Sequence, residues 1–310
     1  MIAFFLKKTL ILLSSLWCVI TGTFFLMHLI PGDPFIGEYE IPEEIMKTLY
    51  AHYGLDQPLW MQYIKYLKHL FSGDLGISIV YHGLSVTQFI KEAFPVSAIL
   101  GLFALSIAIP SGIFLGSIAA LKQNKWQDTA CILVSTIGIS VPNFVLSSLL
   151  QYIFCLKLNL FPIARFESIA HVVMPTVALA ALPTAFIANL TRSNMVEVFG
   201  QDYIRTAKAK GLSLFRIAIY HGLRNAILPV ISYLGPVTAQ IVTGSFMIER
   251  IFAIPGLGQW MIQSIHGRDY PMILGLTIFF SIFLMTANFL VDILYSLLDP
   301  RIRKKVFSYG

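Results

Sequence analysis

The chain has 310 residues, 56% of them hydrophobic and only 12% charged, with a mean hydropathy of +0.75. A soluble domain carries about a quarter charged residues, so this composition excludes a water-soluble globular protein and points to an integral membrane one. The net charge of +6 is divided among short loops instead of gathering on one basic face, which speaks against a nucleic-acid partner and for a role in setting membrane orientation.

Crossing roughly 30 Å of hydrocarbon takes about 20 mostly apolar residues. Six segments qualify: 9–30, 95–121, 130–156, 172–190, 228–248 and 272–298. The first follows Lys7 and Lys8, is longer than a signal-peptide core and ends without an A-x-A pattern, so it is expected to be a retained span. Residues 31–94 form a separate external cap. Within it, 42–53 predicts a helix with Pro42 in the first turn and Glu43 and Glu44 at the favourable end of its dipole. Residues 58–70 predict a second, amphipathic helix with Trp60, Tyr63, Ile64 and Leu67 on one face, followed by a turn at Gly73-Asp74-Leu75-Gly76. A cap of this size is too small to be stable alone.

Farther along, Pro110, Pro142, Pro175, Pro183 and Pro236 interrupt or begin spans, as packing kinks or as hinges. Gly112 and Gly116 in the second span, and Ser232, Gly235, Ala239 and Thr243 in the fifth, form small-residue stripes that allow close helix approach. Trp126 and Trp260 fall near the expected interfaces as belt anchors. Cys18, Cys131 and Cys155 lie in apolar runs without CxxC spacing, so they read as small buried hydrophobes, and neither a metal nor a disulfide framework is expected.

An even number of spans puts both termini on one side. With the N-terminus inside, the cytoplasmic segments hold Lys7, Lys8, Lys122, Lys125, Arg192, Arg205, Lys208, Lys210, Arg216, Arg224, Arg301, Arg303, Lys304 and Lys305, most of the 22 basic residues. Retention of Lys and Arg on the cytoplasmic side then predicts both termini inside. The largest of these loops, 192–227, contains a basic amphipathic segment over 196–210. One face carries Val196, Phe199, Tyr203 and Ala207, the other Glu197, Gln201, Arg205 and Lys208, and Gly211 ends it. A second amphipathic run covers 212–223. Periodicity alone leaves two uses open: lying on anionic lipid, or docking into a groove on a partner.

Arg205-Thr206-Ala207-x-x-x-Gly211, with His221-Gly222-Leu223-Arg224-Asn225-Ala226-Ile227-Leu228-Pro229 after it, resembles the EAA-type signature of binding-protein-dependent ABC importer permeases, in its peptide and nickel branch. The likeness extends to His28-Leu29-Ile30-Pro31-Gly32-Asp33-Pro34, Tyr53-Gly54-Leu55-Asp56-Gln57-Pro58, Gly73-Asp74-Leu75-Gly76, Ile254-Pro255-Gly256-Leu257-Gly258, Arg268-Asp269-Tyr270-Pro271, 288–295 and Asp299-Pro300-Arg301. Together these cover nearly the whole chain, and the first loop is most similar to the B-type subunit of oligopeptide importers. Arg205 stands where the wider signature has Glu.

The resemblance implies an all-α membrane protein of six transmembrane helices of the type I permease kind, with the cap after the first. It also implies a cytoplasmic coupling helix between the fourth and fifth, with Tyr203, Arg205, Thr206, Ala207, Lys208 and Gly211 contacting an ATPase. Its partners would be a paralogous permease subunit, two cytoplasmic ATPase subunits and an external substrate-binding protein, with peptide as substrate. The chain has no GxxxxGK[ST] loop, so ATP and Mg belong to the partners and no enzyme activity or bound cofactor is expected. Asn143, Gln240, Thr243 and Gly244 are candidates for the translocation path, with hydrogen bonding between helices as the plainer alternative. Glu249, Arg250, Pro255 and Gly256 are candidates for binding-protein contact, or simply a surface ion pair. Asp292, the one clear acid inside a span, with Asn288 one turn earlier, is expected to make a structural bond near the cytoplasmic face rather than relay protons. A secondary transporter driven by an ion gradient is the rival of a different class. It would show central acids and inverted halves, and neither is apparent here.

Overall fold

A computed structural model describes residues 2–29, 47, 50–51, 54–81 and 83–298. The described residues are helical and irregular apart from one isolated antiparallel bridge, Ile77 to Ser85. The main helices are α1 (Ile2–Leu29), α2 (Leu59–Phe71), α3 (Val86–Leu121), α4 (Trp126–Ser140), α5 (Asn143–Leu150), α6 (Ile169–Phe199), α7 (Asp202–Ala209), α8 (Leu228–Val242), α9 (Phe246–Ile251), α10 (Leu257–His266) and α11 (Tyr270–Leu298). Among the described residues five stretches are long and apolar enough to cross a membrane: Lys8–Leu29, Val86–Leu121, Ile169–Phe199, Leu228–Ile251 and Tyr270–Ile293. α4 followed by α5 and its π-helical continuation Gln151–Lys157, bent by 102°, makes a sixth when the pair is counted as one broken span.

That bend corrects the expectation of one continuous span over 130–156. Pro142 pushes the residue before it out of the helical region. Val141 accordingly has ψ 120° and Pro142 ψ 138°. Pro95 and Pro110, in contrast, sit inside an unbroken α3, and Pro175 and Pro183 inside an unbroken α6. The second span begins earlier than position 95, where Ser85 caps α3 by accepting from the Gln88 amide at 3.2 Å.

The small-residue stripe of α3 seats α6. A Cβ on Gly112 would come within 2.7 Å of the Ile187 Cβ, and one on Gly116 within 2.7 Å of the Thr191 Cβ. Leu100, Ala104, Leu105 and Ala108 of α3 then form the main core with Ala178 and Leu179 of α6 and Val237 and Ile241 of α8. Gly235 of α8 lies against α11, where a Cβ would meet Asn288 Oδ1 at 2.7 Å.

The cap is fastened to the first and last spans. Tyr63 and Tyr66 of α2 pack on Phe24, Met27, Ile273 and Leu274, and Tyr63 shares a 2.7 Å hydrogen bond with Thr21. Trp60 and Ile64, expected on the packed face, are exposed instead; the seating of α2 on α1 is set by the Tyr63–Tyr66 side. Asp269 is buried, accepting from the Ser78 hydroxyl, from the Ile79 amide at 3.2 Å and from the Met272 amide at 3.3 Å, which pins the segment before α3 to the start of α11. The expected turn is closed by the Gly76 amide donating to Asp74 Oδ1 at 2.9 Å. Trp260, expected as a belt anchor, packs in an aromatic cluster of the protein, 4.6 Å from the Phe89 ring and 5.2 Å from Tyr81. Trp126 is exposed. Cys131 and Cys155 are buried, while Cys18 is exposed on α1. The predicted helix over 42–53 lies outside the described residues, except that Lys47, Tyr50 and Ala51 are helical.

Candidate functional site

The loop between α6 and α8 is built around α7. Asp202 in its first turn and Lys208 in its last complement the helix dipole. Gly211, at φ +77°, stops the helix in a left-handed conformation that a side chain would resist. Ile204 and Ala207 are buried against Ile217, Val198, Phe199 and Leu212. Asp202, Tyr203, Arg205, Thr206, Lys208 and Lys210 are exposed. Tyr203 therefore does not share the packed face with Ala207. The expected single helix over 196–210 breaks at Gly200 and Gln201, which resets the periodicity and brings Ile204 inward. Tyr203 is held at the rim instead, its hydroxyl accepting from Asn225 Nδ2 at 2.9 Å. Arg205 reaches back to Asp202 at 3.4 Å, and the Thr206 hydroxyl donates to the Asp202 carbonyl at 3.1 Å.

After Gly211 the chain runs through Leu214–Arg216, a π-helical Ile217–Leu223 and Arg224–Ala226 into α8. Ile217 and Ala218 are buried, whereas Leu214, Phe215 and Tyr220 are largely exposed. These apolar side chains, in a loop that also exposes Arg205, Lys208, Lys210 and Arg216, were not singled out by the sequence pattern, because their run looked like an ordinary amphipathic turn.

The loop's stem is tied to the turn between α3 and α4. Arg192 of α6 makes a two-pronged ion pair with Asp128, donating from Nε to Oδ1 and from Nη2 to Oδ2, the latter at 2.9 Å. Asp128 is only 2% exposed, and its Oδ2 also accepts from the Asn124 amide at 2.9 Å. The sequence pattern marks Arg192 as a loop charge and does not single out Asp128; the two, 64 positions apart, are brought together by the packing of α4 on α6.

At the other end of the molecule, Glu249 corrects a second expectation. It is completely buried and so cannot meet an external protein. Ser97 donates to its Oε1 at 2.8 Å and the Gln259 amide to its Oε2 at 3.1 Å, while Ser97 accepts from the Leu257 amide at 2.9 Å. Gly256 is buried in the same node, where a Cβ would stand 2.5 Å from Glu249 Oε1. Gly244, at φ +112°, faces that carboxylate too: a Cβ there would be 2.6 Å from Oε1. Arg250 and Pro255, by contrast, are exposed.

The expected polar patch of the fifth span is dispersed by this arrangement. Gln240 is exposed, in line with exposed Ser232 and Pro236 on α8. Thr243 is buried and spends its hydroxyl on the Ala239 carbonyl at 2.7 Å, and Gly244 belongs to the Glu249 node. Asn143 is half-buried, at the start of α5 beside the bend. Asp292 is paired with Lys8 at 2.5 Å, a structural bond between first and last spans as expected in kind, with Lys8 as the partner. Among the described residues no group of three or more His, Cys, Asp or Glu converges to hold a metal ion.

Comparison with known proteins agrees with this architecture. The family described as "Binding-protein-dependent transport system inner membrane component" matches residues 112–304, and the corresponding N-terminal family matches residues 1–99. The chain is 50% identical to the dipeptide transport system permease DppB of Bacillus subtilis over 98% of both chains. It is 42% identical to the oligopeptide permease OppB of Escherichia coli over 98% of this chain and all of that one. Among solved structures, the inward-facing MetNI methionine ABC transporter superposes with a TM-score of 0.52 at 19% identity, covering 68% of this chain and 94% of that one. An amino acid ABC transporter superposes with a TM-score of 0.52 at 17% identity, covering 67% and 94%; both likenesses concern the fold alone. With family profiles spanning both parts of the chain and relatives matching it end to end, the protein belongs to the binding-protein-dependent transport system inner membrane components, the permease subunits of ABC importers.

Proposed function

We propose that this multi-pass membrane protein is the permease subunit of an ATP-driven oligopeptide importer and supplies half of the translocation pathway. A paralogous permease would supply the other half, with two cytoplasmic ATPase subunits and an external binding protein completing the complex. The observation that carries the coupling role is α7: a short helix whose Ile204 and Ala207 seat it on its own loop while Tyr203, Arg205, Thr206 and Lys208 point outward. In this reading both termini and the α7 loop are cytoplasmic, ATP and Mg sit on the partner subunits, and closure of the ATPase pair pushes α7. The push travels through the ends of α6 and α8 and alternates access across the membrane. Gln240 on the open stripe of α8 and Asn143 at the bend are the remaining path candidates, and Arg250 and Pro255 the remaining contacts for the binding protein. The exposed aromatic and basic mixture of the loop, with acidic Asp202 beside Arg205 and Lys208 on the outward face of α7, supports protein docking over contact with anionic lipid.

Dipeptides are the second reading of the substrate, favoured by the 50% identity to a protein named as a dipeptide permease. Competition of labelled uptake by dipeptides and by longer peptides separates the two. For the coupling role, scrambling residues 203–211 is expected to abolish co-purification of the ATPase subunits while the permease pair still assembles. Retention of the ATPase by that variant, or uptake by this chain alone without ATP, overturns the proposal.

A further inference from the structure

Asp128 and Arg192 lie where two moving parts of an importer would have to be joined. Arg192 is seven residues before the end of α6 at Phe199, a rise of about 10 Å, and α7 begins just beyond. Asp128 lies in the first turn of α4, the span that bends by 102° at Pro142. Other contacts between α4 and α6, such as Cys131 and Ala188 with Ala119 of α3, or Gly138, where a Cβ would be 3.1 Å from the Ala185 Cβ, are apolar, and packed helices can slide past one another across such surfaces. A guanidinium and a carboxylate joined by two parallel hydrogen bonds cannot slide: the fork fixes both distance and angle. The Asn124 amide, donating to the same carboxylate, locks Asp128 to its own turn. As plain stabilisation such a pair gains little, because burying two charges costs about as much as their attraction returns. Its distinctive property is rigid registration of one helix on another.

We propose that the Asp128–Arg192 pair is the positioning element that makes the bent α4–α5 span follow the coupling loop, so that displacement of α7 and the lower end of α6 reaches α4 without slippage. The inference rests on the importer reading and names residues through which that reading would operate. In this role each residue acts by fixing a helix.

The test uses the complete complex of both permeases, the ATPase subunits and the binding protein in proteoliposomes, measuring peptide imported per ATP hydrolysed together with ATPase retained. Asp128→Asn keeps the shape but weakens the pair, Arg192→Lys keeps the charge but loses the fork, and Asp128→Glu restores a carboxylate. The first two variants are expected to keep their ATPase subunits and to hydrolyse ATP, while peptide imported per ATP falls about tenfold, the scale of a typical coupling free energy; Asp128→Glu is expected to recover most of the ratio. An unchanged ratio in Asp128→Asn and Arg192→Lys overturns the proposal, as does a fall of import and hydrolysis in equal proportion. Failure of both variants to assemble also overturns it, showing that the pair serves folding alone. If the wild-type complex itself imports peptide without ATP, the importer reading fails, and that result is distinct from all of these.

Discussion

Glu249 accepts on both carboxylate oxygens, from Ser97 on Oε1 and from the Gln259 amide on Oε2. Glu249→Gln puts an NH2 in place of one of these acceptors, so the bond to Ser97 or to the Gln259 amide is lost or reversed, at a cost of about 1–3 kcal/mol. Gly256→Ala pushes a methyl group against the same carboxylate, an overpacking that costs about 1–3 kcal/mol. Both are expected to lower the midpoint of thermal unfolding in detergent. Gly211→Ala is expected to lower it less: it meets nothing within 4 Å and strains only one left-handed residue, at about 1–2 kcal/mol. Equal shifts for the two glycine variants would contradict this account. The sequence could not give Glu249 its role, because the residue closes on Ser97 across a separation of 152 positions. Read locally, a Glu-Arg pair at the end of a span looks like surface. Asp128 was hidden in the same way, whereas Gly211 was legible because its φ requirement is written in its own neighbourhood.

Among the helices, the span positions and the Gly112–Gly116 stripe were readable from periodicity and residue size. What the stripe receives was not, since Ile187 and Thr191 carry no mark of facing α3. Gly116→Leu is expected to separate α3 from α6, because a Cβ there already collides with Thr191 and stands 3.0 Å from the Arg192 amide nitrogen. The yield of assembled complex, read by size-exclusion chromatography, should fall severely, and a wild-type elution profile would show that the two helices do not meet there. Proline marks possible breaks without saying which are used. Pro110 and Pro183 lie in continuous helices, while Pro142 turns the chain by 102°; the difference depends on whether neighbouring elements can satisfy the released carbonyls. The break at Gly200 was missed for a related reason: residues 196–210 keep an acceptable helical pattern straight through it.

For the molecule as a whole, charge asymmetry and six apolar stretches were sufficient for the class of fold, and an impermeant thiol reagent tests the orientation directly. In a version of the chain whose own cysteines are replaced, Ser72→Cys is expected to be labelled in cells with an opened outer barrier. Lys208→Cys should react only after the inner membrane is permeabilised. Labelling of Lys208→Cys from outside would invert the topology. The bond from Lys8 to Asp292 joins positions 284 residues apart, and the Ser78–Asp269 bond joins positions 191 apart. At about 5–20 residues per second, translation separates the emergence of Lys8 from that of Asp292 by roughly 15–60 s. For that interval the first helix lacks its partner on the last span, and for a shorter one the cap lacks Asp269. The helix Tyr270–Leu298 thus acts as a closing piece for elements made long before it.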